Sequence, residues 1–466
     1  MSGWRSYLSG WRWVEIALAA IVAGGVAGCV GHLIIYHYLP QPFFYEPSDI
    51  FGDWFNTAFW ARDKGTYDVW NTVYPPLSFV FLRFVGLDRC YPDRRSYDFS
   101  AGLAARDCDW VGILMIWVIF TINLVLIWRT FRKLDSKTAL PRTICVGLGL
   151  PMLSGVERGN LVLVAFTCLL LAVGPILRSA RLRWLFAGLA VNFKVYLIAA
   201  IIPLLLKRRW RWVECALISV ILVYMFSFAI LGRGAPMEII NNIREFSANP
   251  SGSILDVWSE TTYQALTSLL QGDNFPSELL LGSRIRDFLL FLLPALQHLT
   301  QALILAAAAA AWVRPERIPA FRLINLGILL ALITSESGGY TPIFFMLFVM
   351  MEKWQGVGRC WAIVACYALA LPFDYPIYGL PELARDTYLG GETVSIAFFV
   401  GVGPFIRPLI IMTIAMALSS TTILEVWKDV RLQGWAGRWR LRRDAPLLLG
   451  VRRPAPHAVG IATKGE

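Results

Sequence analysis

Charge is what this sequence has least of. Asp, Glu, Lys and Arg make up 16% of its residues and hydrophobic residues 57%, whereas an ordinary soluble domain is about a quarter charged. No polar stretch exceeds the length of a substantial loop, so no soluble domain of any size can be cut from the chain. Histidine is nearly missing, with four in 466 residues, which argues against a His-rich metal centre. A Walker A loop, an HExxH pair and a GxSxG elbow are absent, and no cysteines cluster at metal-ligand spacing. Nothing in the residues calls for a metal or a cofactor. No internal repeat is visible, which counts against the repeat-built transporter folds.

What the chain has instead is apolar runs of roughly 17–25 residues, each the length of a bilayer span. We read spans near 14–36, 109–128, 140–156, 160–177, 212–232, 286–311, 320–335, 341–352, 359–373 and 403–426. The stretch 183–206, RWLFAGLAVNFKVYLIAAIIPLLL, differs because basic clusters flank both of its ends. Two short helices entering and leaving on one side, with Asn192 and Lys194 near the turn, satisfy that pattern. Non-helical backbone at depth is tolerated where protein buries it or it lines a watery cavity. Residues 394–405 read as an interfacial segment. The fold class is therefore an all-α polytopic membrane protein of about 10–12 transmembrane helices with a re-entrant pair.

Basic residues set the orientation. Clusters stand at Arg5/Arg12, Arg129–Lys137, Arg178–Arg183, Lys207–Arg211, Arg314–Arg322, Lys353/Arg359 and from Lys428 onward. The positive-inside rule places them all in the cytoplasm, with both termini. The formal charge of +11 then reads as topology in a lipid bilayer, not as nucleic-acid binding. The first apolar run is too long for a cleavable signal and reads as a retained helix. Residues 1–430 form one transmembrane domain, and 431–466 read as a basic, flexible cytoplasmic tail.

Three larger loops, 37–108, 233–285 and 374–393, fall on the outward side. An enzyme working on the outer face needs that asymmetry. Cys90 and Cys108 share the first loop. A disulfide fits an oxidising compartment, and two free thiols fit the spacing equally well. The same loop carries Asp49, Asp53, Asp63 and Asp68 among aromatics, in SDIFGDWFNTAFWARDKGTYDVWNTVYPPLSFVFL. On a helix over 49–61, Asp49 and Asp53 would share a face, where like charges repel. Asp63 and Asp68 read as solvated loop acids. Carboxylates in apolar company have shifted pKa values, as sites needing a base do, although a plain surface role also fits a loop acid.

Two further features carry cations. SGVERGNLVLV (154–164) places Glu157 and Arg158 at a turn between apolar helices, with Gly159 for the turn and Asn160 to cap the next helix. A capped hairpin with a local ion pair is the plain reading; a planar fork that grips phosphate oxygens is the functional one. Lys194 lies inside the re-entrant stretch, where an ionisable group is a functional candidate or a snorkelling side chain.

The order DWFNTAFWARDKGTYD…YPPLSFVFL, ERGNLVLVAF, AGLAVNFKVYLIAAIIPLLLKRRWRW resembles glycosyltransferase family 87. Asp53, Tyr74-Pro75-Pro76-Leu77, Arg158-Gly159-Asn160 and Lys194-Val195-Tyr196 fill the family's places; TSESGGYTPIFFMLF stands where relatives carry Ser-Pro…His-Tyr, and Leu197 where Pro is usual. The resemblance implies a GT-C-like bundle and transfer of a sugar, mannose or a pentose, from a polyprenyl-phosphate donor. The acceptor would be a glycan or glycolipid, on the outer face of a bacterial cytoplasmic membrane. It further implies Asp53 as catalytic base with Asp49 second, Arg158 and Lys194 as receivers of the donor phosphate, and Glu157, Asn160, Tyr74 and Tyr196 as substrate contacts. The rival reading is a transporter or flippase of lipid-linked sugars, which would need the same buried cations.

Overall fold

The computed structural model describes residues 2–43, 46–91, 101–248, 261–272 and 277–435. The chain opens with α1 (Ser2–Tyr36), and the first loop then holds α2 (Gly52–Arg62) and α3 (Pro76–Val85). The bundle continues through α4 (Trp110–Leu134), α5 (Ala139–Gly147), α6 (Leu150–Arg158), α7 (Val162–Val173), α8 (Ala180–Phe193) and α9 (Trp210–Leu231). Three short helices, α10 (Pro236–Ala248), α11 (Gln264–Gln271) and α12 (Ser277–Leu281), lead to α13 (Ser283–Val313). Then come α14 (Ala320–Thr334), α15 (Ile343–Val349), α16 (Val357–Leu369) and α17 (Gly403–Gln433).

Every expected span has helix in its place, but the lengths divide into two kinds. Among the described residues five helices are long and apolar enough to cross a bilayer, or six if the bent pair α5–α6 counts as one. The others are short: α7 has 12 residues and α15 has 7. At about 1.5 Å per residue, neither reaches across roughly 30 Å of hydrocarbon. They are cored by protein instead, for every residue of α15 is buried. A helix that touches only protein needs no span length, so an apolar run marks a helix without fixing its length.

The stretch 183–206 breaks at Lys194, where α8 gives way to 3₁₀ turns at Val195–Ala200 and Ile202–Leu205. Pro203 has no N–H and its ring would clash with the Ala199 carbonyl in a continuous α-helix. The expected second short helix is thus 3₁₀, packed against α14. Residues 394–405 are not one interfacial segment. They hold β3 (Thr393–Ile396) and β4 (Phe399–Gly401), preceded by β1 (Pro376–Gly379) and β2 (Leu383–Asp386), and the first turn of α17. β1 pairs antiparallel with β4, and β2 with β3. α17 runs on to Gln433, and the rest of the expected tail, 436–466, lies outside the described residues.

The first loop is built, not loose. Cys90 and Cys108 are joined in a disulfide. The Tyr91 hydroxyl donates to Asp109 Oδ2 at 2.8 Å, and Asp109 Oδ1 accepts from Gly112 N at 3.2 Å, capping α4. Asp63, expected in solvent, is buried and accepts from Gly65 N at 2.7 Å, so it organises a turn; Asp68 is exposed as expected. At another place in the bundle, Arg142 donates to Glu15 through Nη2 at 2.8 Å, and Arg322 grips Glu352 at 2.5 and 2.7 Å and Glu425 at 2.8 Å. These pairs tie α1, α5, α14 and α17 together.

Candidate active site

The turn SGVERGN sets the site. α6 ends because Gly159 takes φ +62°, a left-handed conformation that suits glycine. The Gly159 N–H donates to Val156 O at 2.9 Å and the Asn160 N–H to Gly155 O at 2.9 Å, closing a Schellman-type cap. A Cβ on Gly159 would also lie 2.9 Å from the Cβ of Trp54, so the first loop packs directly on this turn. Asn160 Oδ1 accepts from Val162 N at 2.8 Å and starts α7.

Across from that turn, the two first-loop acids do not share a helix. Asp49 closes a 3₁₀ turn (Pro47–Asp49), Phe51 takes φ +62°, and α2 starts at Gly52 with Asp53 in its first turn. A Cβ on Gly52 would sit 2.0 Å from Asp49 Oδ1, so glycine lets the Asp49 carboxylate fold back over the helix start. Arg158 then stands between the acids. Its Nη1 donates to Asp49 Oδ2 at 2.6 Å and its Nη2 to Asp53 Oδ1 at 2.7 Å. The expected like-charge repulsion is replaced by a shared guanidinium. The Phe51 N–H donates to the Glu157 carbonyl at 2.7 Å, which anchors loop to turn through main chain.

Asn160 Nδ2 donates to the second oxygen of Asp53, Oδ2, at 2.6 Å and lies 3.4 Å from the Tyr74 hydroxyl. Burial alone would raise the Asp53 carboxyl; the Arg158 charge and the hydrogen bonds from Arg158 and Asn160 outweigh it and hold the group below its ordinary range. Burial, and then the Asp53 charge, push the Tyr74 phenol up, so it stays neutral. Lys194, at the break after α8, reaches the same point: its Nζ is 3.4 Å from the Tyr74 hydroxyl and 4.5 Å from the Tyr74 ring centroid. The Tyr340 ring stands 5.5 Å from the same ammonium. Such faces attract a cation while leaving its charge unneutralised.

Six of the eight residues singled out in the sequence, Asp49, Asp53, Tyr74, Arg158, Asn160 and Lys194, therefore meet in one hydrogen-bonded cluster. The other two flank it. Glu157 is buried behind the turn, and Tyr196 packs its ring against Phe344 at 6.0 Å. Two participants escaped the sequence reading. Tyr340 lies in the TSESGGYTPIFFMLF stretch, where the family resemblance departs and gave it no role. Arg106, which donates to the Ile50 carbonyl at 2.6 Å and stacks over Tyr388 at 4.1 Å, steadies the Asp49 segment from the far end of the same loop. Among the described residues no three His, Cys, Asp or Glu side chains gather closely enough to hold a metal ion.

The family model of glycosyltransferase family 87 matches residues 99–335, more than half of the chain. The chain belongs to glycosyltransferase family 87. With its long apolar helices it is a membrane glycosyltransferase. The matched stretch of this family member contains Glu157, Arg158, Asn160, Lys194 and Tyr196 but begins after Asp49, Asp53 and Tyr74. It is the folded geometry that joins the first-loop acids to the family core. No curated protein and no solved structure matched the chain.

Proposed function

We propose that this family 87 member transfers a sugar, mannose or a pentose, from a polyprenyl-phosphate donor to a glycan or glycolipid acceptor on the outer face of a bacterial cytoplasmic membrane. The observation that carries the reading is the Asp53 carboxylate held at both oxygens beside the Lys194 ammonium. Asp53 is the base. An acceptor hydroxyl oxygen attacks the anomeric carbon, and its proton passes to the carboxylate and on to solvent. The bond from that carbon to the phosphate oxygen breaks, and the lipid phosphate leaves with the electron pair. Lys194 receives the charge that develops there; a fixed cation in a site shielded from water is effective in that role. Arg158 touches both acids, so its part is to hold the pair as well as to face the phosphate, and Asp49 balances it. No step is assigned to a cofactor.

The Cys90–Cys108 disulfide supports an outward first loop, since such bonds persist in oxidising compartments. Thiol labelling tests the face: the exposed position Lys64→Cys is expected to label from outside intact cells and the exposed Ser136→Cys only after permeabilisation. Equal labelling would refute the orientation. Chemistry is tested with purified protein given a polyprenyl-phosphate sugar and an acceptor in detergent. Release of free polyprenyl phosphate with product is the expected result. Donor movement across vesicles without release would favour a flippase.

A further inference from the structure

A cleft of about 290 Å³ opens beside the loop that carries Tyr340. Its polar lining comes from Thr262, Gln264, Thr267, Gln297, Thr334 and Ser335, with the Tyr263 ring and Leu293 and Pro294 completing the wall. Among the described residues no charged side chain lines it, so a lipid phosphate would find no cation among them. The Thr262, Thr267 and Thr334 hydroxyls donate to Glu336 and to the Gln264 and Leu330 carbonyls and keep lone pairs to accept from a ligand's hydroxyls, which an isoprenoid chain does not offer. Hydroxyls, amides and one ring are instead the groups that recognise a neutral polyol, in a cleft of small-ligand size.

The cleft is preformed, and the reason is Glu336. Its carboxylate accepts from Thr262 N and Oγ1, both at 2.8 Å, from Thr261 Oγ1 at 2.8 Å, and from Ser337 N and Gly338 N, both at 2.9 Å. That one side chain fastens the 261–264 wall to the end of α14. Gln297 Nε2 donates to the Ile333 carbonyl at 2.8 Å, which ties α13 to α14 at the same level and leaves the amide oxygen for a ligand. The same loop links the cleft to the chemistry. Ser335 lines the cleft and Tyr340 faces Lys194. Five residues span at most about 18 Å even when extended, and Gly338 at φ +88° turns this loop back.

We infer that this cleft is the carbohydrate subsite for the acceptor, holding neutral sugar residues while the reacting hydroxyl reaches Asp53. The inference rests on the transferase reading above, so its test needs a binding arm that requires no turnover. Saturation-transfer NMR on the detergent-purified full-length protein, with neutral methyl mannoside and methyl arabinoside as probes, supplies it. Each lost hydrogen bond removes roughly tenfold in affinity. Glycoside binding should weaken about tenfold in Gln297→Leu and in the isosteric Thr267→Val, and persist in Asp53→Asn. In steady state the same two variants should raise the acceptor KM and leave donor KM unchanged. Absence of glycoside binding to the wild type, binding indifferent to both variants, or a rise in donor KM alone would each overturn the assignment; the last would mean that lipid occupies the cleft. Binding as expected in a protein that never transfers sugar would support the subsite and sink the transferase chemistry instead.

Discussion

Two clusters of buried charge use the same chemistry to opposite ends. In the first, Glu15, Arg142, Arg322 and Glu352 are at most 6% exposed. Arg142 donates to both Glu15 oxygens and to the carbonyls of Met350 and Glu352, and Arg322 binds two carboxylates. Each charge is answered from within the protein. In the second, the Arg158, Asp49 and Asp53 side chains keep 13%, 20% and 23% of their surface. Arg158 binds both acids, while among the described residues no carboxylate lies within salt-bridge distance of Lys194, which rests on aromatic faces. A saturated network can only hold helices together. A network with an open lone pair and an unneutralised ammonium is equipped for a group that the chain does not contain.

The contrast can be broken most sharply at Asp53. Asp53→Asn keeps the shape and the hydrogen bond at one of the two oxygens, so transfer should fall about 10²–10⁴-fold in a protein that still folds. Asp49→Asn is the control, and a loss confined to Asp49→Asn would move the base by four residues. In the saturated cluster the opposite result is expected. Arg142→Met strands Glu15 in the bundle and should cost roughly 3–5 kcal/mol of stability, seen as a lower detergent melting temperature. If the folded fraction is indifferent to that change, the first cluster is not structural.

Lys194→Met should raise donor KM roughly 10–100-fold, the scale of a charge-assisted hydrogen bond, without affecting folding. Unchanged donor use would return Lys194 to a packing role. The smallest effect is in pH. A carboxyl held below its ordinary value keeps its stabilising charge at neutral pH and loses it only as pH falls through the folded value. The acid limb of activity should therefore lie below about pH 4, the ordinary Asp value. In Arg158→Gln only the Asn160 hydrogen bond and the Lys194 charge still oppose burial, and the limb should move upward. A limb in the same place in both proteins would mean that another group sets it.

Much of this site was legible in residues. An arginine and an asparagine around a turn glycine, a lysine in an apolar hairpin, and acids among aromatics are each anomalies in a membrane chain, because charge there is costly. Position within a run was less informative. Arg314 and Arg322 read as cytoplasmic anchors, yet they are 0% and 1% exposed and paired with Asp429 and Glu352. A count of basic residues cannot distinguish an anchor from a core ion pair, since both need only a long cation near a helix end. Asp49 and Asp53 were found, but their relation was misread, because the left-handed Phe51 that separates them has no compositional mark.

The sequence by itself determined the solvent, the helical class and the family, since apolar length and a few ordered motifs are local properties that survive without coordinates. Tertiary structure decided which apolar runs form long helices and which stay short and enclosed, because burial by protein removes the length requirement that lipid imposes. It also decided that one guanidinium bridges two acids more than a hundred residues before it in the chain. That pairing depends on the packing of Trp54 against Gly159, a contact between distant segments that no local pattern encodes.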